Sequence, residues 1–267
     1  MSTTRLNVSL EGFEVGLSGA VPDRNEWTEP AMDRGILEFV ALITSLVVKY
    51  GGRIIHGAHP TFTPVILRHA QQHAGNRERH PVTLVMSELF SKQYSPEELR
   101  LLEHNAEVVI TPQIGEGDPD NIETRNRSLH RMRLTLIDRM NVMVAVGGKL
   151  HAADGTVPGV AEELDLARQR GMACFLVGGL GGMAAEYAKG LSSSAVLQNE
   201  LSSEENEKLF QTDDVASTVS IIFDQLSSEH SLLDRKLNRI ETTTGTTEHV
   251  IQEEVSDREE EPPLELS

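Results

Sequence analysis

Two adjacent carboxylates, a row of arginines and four glycine-bearing turns are the residues of this 267-residue chain whose types and spacing could do chemistry. Glu162 and Glu163 stand near the start of a helical pattern, where acidic groups complement the helix dipole for about 0.3–1 kcal/mol. Successive helix positions point roughly 100° apart, so only one of the two should face a given cleft. Arg125, Arg127, Arg131, Arg133 and Arg139 run along one helical segment, and most of them read as a solvated face. The four turns are Ser18–Asp23, Gly57–Thr63, Gly147–Thr156 and Gly178–Gly182. Glycines there permit positive φ and let a ligand approach the backbone, while free N–H groups at a helix start suit an anion. Ser18, Gly19, Gly57, His59, Gly147, Gly148, Gly155, Thr156, Gly178, Gly179, Gly181 and Gly182 are therefore the candidate ligand-binding residues. Trp27, after Asp23, Arg24, Asn25 and Glu26, can stack on a planar ring or pack. His56 with His59, and His69 with His73, have spacings that suit a metal, but no carboxylate or thiol lies near them in sequence. No metal and no cofactor are expected.

The elements that must position these groups follow a βα rhythm: short apolar β-branched runs alternate with longer helical patterns and end in Gly-rich or Pro-rich turns. Strands are expected at Phe13–Ser18, Arg53–His56, Val82–Met86, Glu107–Thr111, Met140–Val146 and Ala173–Val177. The run Met140–Val146 has no alternation, as a central strand buried on both faces requires. Helices are expected at Ala31–Tyr50, Thr63–Ala74, Pro96–Glu103, Asn121–Arg139, Pro158–Gln169 and, after the turn Gly178–Gly182, through Lys189, then Ser203–Phe210 and Asp214–Leu226, the last capped by Asp213 or Asp214. In such an open parallel sheet ligands sit outside the carboxyl ends of the strands, where all four turns fall.

Hydrophobic types make up 39% of the residues, enough for one sizeable core. The net charge of −17 opposes non-specific binding to nucleic acid or anionic membrane, so no direct nucleic-acid partner is expected. Residues 241–267 hold nine acidic groups and one arginine, leaving −9 on residues 1–240; that acidic stretch reads as a disordered tail. The single cysteine, Cys174, lies in an apolar run and reads as a small buried hydrophobe. No apolar stretch approaches the roughly 20 residues of a membrane span, and the N-terminus has no signal-peptide pattern, so a cytoplasmic protein is expected.

The segment Val142-Met143-Val144-Ala145-Val146-Gly147-Gly148, then Gly155-Thr156 and Glu162-Glu163, resembles the strand, PGGxGT turn and acidic helix of the LOG-type nucleotide phosphoribohydrolases, within the wider SLOG group of Rossmann-like nucleotide-binding domains. Counting back without gaps, Leu129-His130-Arg131-Met132-Arg133 falls where those enzymes carry an Arg-Lys motif. The resemblance implies Arg131 as the catalytic arginine, with Arg133 taking that place if the register slips by two. Val15–Gly19 resembles the family's first strand and turn, and Ile54–Pro64 its second glycine-rich loop. The pattern departs from the family at Val146 in place of proline, at six inserted residues between Gly148 and Gly155, and at Met132 in place of lysine. His59, Pro60 and Pro64 replace glycines of the second loop, and proline has no N–H to offer a phosphate.

The resemblance implies an α/β, Rossmann-like three-layer fold with a central, mostly parallel sheet, C-terminal helices and an acidic tail. The expected division is 1–190 for the nucleotide-binding domain, 191–240 for a helical extension and 241–267 for the tail. Cleaving a base–ribose bond builds oxocarbenium-like charge, which Glu162 or Glu163 can stabilise while Arg131 holds a phosphate or base edge. Three readings stay open: a sensor of a nucleotide-derived signal in a bacterial conflict or anti-phage system beside an effector protein, a hydrolase of the N-glycosidic bond, and an assembly component using its acidic tail. A homodimer or higher oligomer is expected by resemblance. Leu129, Met132, Leu136 and Met140 form a stripe that fits core or partner equally.

Overall fold

The computed structural model describes residues 8–23, 30–150 and 157–228. Arg24–Trp27, Gly155, Thr156 and the acidic tail lie outside the described residues.

Strands β1 (Glu14–Ala20), β2 (Arg53–His56), β3 (Val82–Ser87), β4 (Glu107–Thr111), β5 (Val142–Gly147) and β6 (Ala173–Val177) form one sheet in the order β4-β3-β2-β1-β5-β6. Every pairing is parallel. The crossovers are α1 (Pro30–Lys49), α2 (Thr63–His73), the pair α3 (Glu88–Ser91) and α4 (Pro96–Asn105), α5 (Ile122–Arg139) and α6 (Gly159–Gln169). After β6 come α7 (Gly182–Lys189), a 3-10 turn at Ser194–Leu197, α8 (Ser203–Gln211) and α9 (Val215–Ser228). The fold is α/β and Rossmann-like, and among the described residues the sheet is wholly parallel.

Alternation within buried strands divides the core in two. Val142, Val144 and Val146 join Phe175, Val177 and the inner faces of α1, α2 and α9, whereas Met143 and Ala145 join Cys174, Leu176 and residues of α5 and α6. Covered on both faces, β5 needs no polar side, which explains its unbroken apolar run. Met132, Leu136 and Met140 are buried in the second cluster, and Leu129 packs against it, so that stripe serves the core.

The C-terminal helices are held by the same core: Leu209, Ile222 and Leu226 are fully buried. Asn199 donates to the Cys174 carbonyl at 2.8 Å and to Asn206 Oδ1 at 2.8 Å, satisfying buried amides that would otherwise be costly. Asp214 caps α9 by accepting from the Ala216 and Ser217 N–H groups. Among the described residues no helix is long and apolar enough to cross a membrane.

Candidate functional site

The chain builds outward from β1 to β4 on one side, then returns through α5 to β5 on the other side of β1. The loops after β1 and β5 therefore leave in opposite directions and open a crevice at the carboxyl edge of the sheet. Here Ala20 lies beside Gly147, and the Gly148 N–H donates to the Ala20 carbonyl at 2.7 Å. A Cβ on Gly147 (φ 63°) would stand 2.6 Å from that carbonyl oxygen, so only glycine permits this approach.

A cavity of about 1400 Å³ occupies the crevice. Its walls are the loops after β1, β2, β3 and β5, the inward face of α5 and the start of α6. Among the described residues no side chain caps the N-terminus of α6, and Pro158 and Gly159 both line the cavity.

One arginine and two glutamates meet on its wall. Arg133 Nη1 donates to Glu162 Oε2, and the other oxygen of Glu162 lies 2.6 Å from His130 Nδ1. Arg133 Nε faces Glu163 Oε1 at 3.6 Å, an ion pair too long to be a hydrogen bond. The Arg133 and Glu163 side chains are each 13% exposed, that of Glu162 22%. Glu163 has its pKa raised: burial is the main cause and the Glu162 charge adds to it, against the opposing pull of Arg133 and of the nearby Ser18 hydroxyl. Ser18 Oγ is buried with no other hydrogen-bond partner among the described residues. The guanidinium also lies against the backbone of α6, since a Cβ on Gly159 would come 2.8 Å from Arg133 Nη2.

The loop after β2 is organised by two histidines. Buried His56 has Nδ1 2.8 Å from the Leu17 carbonyl and takes the His59 N–H on Nε2 at 3.1 Å, a pattern that requires a neutral ring with its proton on Nδ1. Burial pushes its pKa down. His59 accepts the Thr61 N–H on Nδ1, which leaves its proton on Nε2. Burial is the main cause that brings its pKa down to about 4, and the Lys149 charge acts in the same direction. Ala58 adopts φ 54°, a left-handed conformation that costs a non-glycine residue about 1 kcal/mol or more. The start of α2 has few donors left: the Phe62 and Thr63 N–H groups both go to the His59 carbonyl, and Pro64 has none. Facing this loop, Lys149 pairs with Asp23 at 2.7 Å and so links the exits of β5 and β1.

Glu162, Glu163, Arg131, Arg133, Gly19, Gly57, His59 and Gly148 all line the cavity. Arg133, and not Arg131, meets the glutamates; Arg131 is exposed and makes no ion pair among the described residues. Ser18 and Gly147 lie just behind the wall. Gly178, Gly179, Gly181 and Gly182 are used differently. The Gly178 and Gly179 N–H groups donate to the Leu209 carbonyl, and a Cβ on Gly179 would sit 1.8 Å from the Thr212 carbonyl oxygen. The Gly181 N–H donates to Gly178, and a Cβ on Gly182 would meet the Gly147 backbone at 2.6 Å. These glycines let α8 and the β5 exit approach the turn, and none of them lines the cavity. Sequence reading missed His130, although it precedes Arg133 by three positions and so shares its helix face. Among the described residues no group of three or more His, Cys, Asp or Glu side chains is arranged to hold a metal ion.

No curated protein matches the sequence. Among solved structures, the chain is similar to the X-ray structure of TM1055, a structural genomics target: identity is 16%, coverage is 79% of this chain and 98% of that one, and the TM-score is 0.47. A family model described as SLOG cluster2 matches residues 42–241, three quarters of the chain, and the protein belongs to that family.

Proposed function

We propose that this protein binds a nucleotide or nucleotide-derived signal in the cavity at the carboxyl edge of its sheet. Membership of the SLOG group supports nucleotide-related binding or processing at a general level. The observation that carries the reading for this chain is the convergence of Arg133, Glu162, Glu163 and the start of α6 on one cavity at the switch point. Carboxylates accept hydrogen bonds from ribose hydroxyls, and the amides of the first helical turn suit a phosphate. The α2 start is a poorer phosphate site, because the Phe62 and Thr63 N–H groups are taken and Pro64 has none.

Both Glu162 oxygens are held by protein groups, which suits a positioning part better than a mobile catalyst and favours the sensor. A sensor of this kind would report to an effector protein in a bacterial conflict system. Titration of the purified chain with AMP, ATP and NAD, followed by chromatography of the ligand, tests the reading. Tight binding with recovery of intact ligand is the expected result, and absence of binding to every nucleotide refutes it.

One observation favours hydrolysis of the N-glycosidic bond instead. Glu163 is a buried carboxyl with raised pKa beside an arginine, so it can carry a proton for a departing base. Release of free base that disappears in Glu163→Gln would establish that reading over the sensor.

A further inference from the structure

The cavity does not end at the acid pair. Along α5, Asn126 precedes Arg133 by seven positions, or about 10 Å of helix at 1.5 Å per residue. At that distance the wall gains apolar and aromatic groups: Met86, Phe90, Tyr94, Ile114 and Leu129 line it. Asn126 and the charged or polar Gln93, Glu98, Arg125 and Arg127 line it with them.

Aromatic side chains are scarce in this protein, at seven phenylalanines and three tyrosines. All of them pack in or against the two core clusters except Phe90 and Tyr94. These two are partly exposed, belong to α3 and the turn after it, and stack on no other ring among the described residues. An aromatic side chain left outside the core forgoes burial of some 150–250 Å² unless something else covers it. The opposite end of the cavity is polar, with Lys149, Asp23 and His59.

We infer that the lobe formed by Phe90, Tyr94 and Leu129 is the subsite for the ligand's nucleobase, with Asn126 reading its edge. This rests on the proposed nucleotide binding and gives it a direction. The base lies against α3, the ribose at Arg133 and Glu163, and the phosphate toward the start of α6 and Lys149. The separation along α5 suits a base and the far side of its sugar, and a side-chain amide offers both a donor and an acceptor to a base edge. Stacking tolerates any base, so discrimination between bases falls to Asn126.

The test is calorimetric titration of the full chain with AMP, GMP, CMP and UMP and with ribose 5-phosphate, which lacks the base. Phe90→Ala and Tyr94→Ala are each expected to weaken the best nucleotide about ten-fold or more while leaving ribose 5-phosphate within about two-fold. Tyr94→Phe, which keeps the ring, should bind like the parent, and Asn126→Ala should shift the order among the four bases. If the chain turns the nucleotide over, the same ratio is read from kcat/KM against the inhibition constant of ribose 5-phosphate. Equal weakening of nucleotide and ribose 5-phosphate, or no weakening of either, overturns the base subsite while leaving nucleotide binding intact. A parent chain that binds neither probe overturns the binding proposal itself, and the base subsite with it.

Discussion

The two ends of the sheet carry similar charges to opposite effect. At the amino edge Arg53, 12% exposed, binds Glu14 at 3.1 Å and Glu107 at 2.8 Å. It also donates to Thr83 Oγ1 and to the His80 carbonyl, while Arg139 takes the second oxygen of Glu107 at 3.1 Å. Two arginines there meet two glutamates across four strands. At the carboxyl edge, among the described residues, one arginine, Arg133, serves both Glu162 and Glu163, with His130 also on Glu162. For Glu107, burial works to raise the pKa, but the Arg53 hydrogen bond and charge, with Thr83 and Arg139, overcome it and bring it down. For Glu163 burial wins and the pKa rises. The amino-edge network ties the strands together and acts as a clasp. The carboxyl-edge one, beside an open cavity, has capacity left for a ligand.

Removing each arginine separates the two roles most sharply. Arg53→Ala strips three strands of their shared partner and should cost about 3 kcal/mol in chemical denaturation, with nucleotide binding of the folded protein unchanged. Arg133→Ala should cost less, about 1–2 kcal/mol, because Glu163 can take up a proton and Glu162 keeps His130. Equal losses would mean that the carboxyl-edge cluster is a second clasp.

A subtler change acts on position alone. In Gly159→Ala the atoms nearest the new methyl are those at the far end of the Arg133 side chain, so the guanidinium is expected to move and the fold is not. Nucleotide affinity should fall about ten-fold, with the thermal midpoint held or slightly raised by the better helix former. A fall in both would place Arg133 in the structural framework.

The smallest effects are in pH dependence, and their signs oppose. Glu107 has a lowered folded pKa, so the stability it contributes is present above the ordinary carboxylate value and is lost as pH falls through the folded value. Glu107→Gln should therefore destabilise at neutral pH and in mild acid alike, and less only once pH falls below the ordinary carboxylate value. Glu163 has a raised folded pKa, so the folded state binds the extra proton and stability declines as pH rises from the ordinary value of 4.5 toward the folded one. Glu163→Gln removes that decline and should raise the melting temperature at neutral pH relative to acid. Parallel pH profiles for the two variants would erase the distinction between the edges.

Much of the framework was legible in the sequence because each strand and helix carries its own period and turn. The bounds expected for β2, β4 and β6 match the structure, and the rest differ by one or two residues. Helix α3 and the 3-10 turn at Ser194–Leu197 escaped notice, since four residues are too few to show a period; only their serine caps, Ser87 and Ser193, signalled them. The site was less legible because its partners are distant in sequence. Counting back from Gly147 pointed to Arg131, or to Arg133 if the register slips by two, and in the structure it is Arg133 that reaches the glutamates. The Gly178–Gly182 turn has the composition of a ligand loop, yet its first two amides, of Gly178 and Gly179, go to α8, some thirty residues downstream. Phe90 and Tyr94 carried no local mark, because what distinguishes them is absence from a core that only the tertiary structure defines.

Calorimetric titration of the parent, Arg133→Ala and Arg131→Ala with the same nucleotide panel tests the central claim most directly. The expected result is binding by the parent, about hundred-fold weaker binding by Arg133→Ala, and a change of less than about three-fold in Arg131→Ala. Full binding by Arg133→Ala, or loss confined to Arg131→Ala, would contradict the assignment of the carboxyl-edge cluster as the nucleotide site.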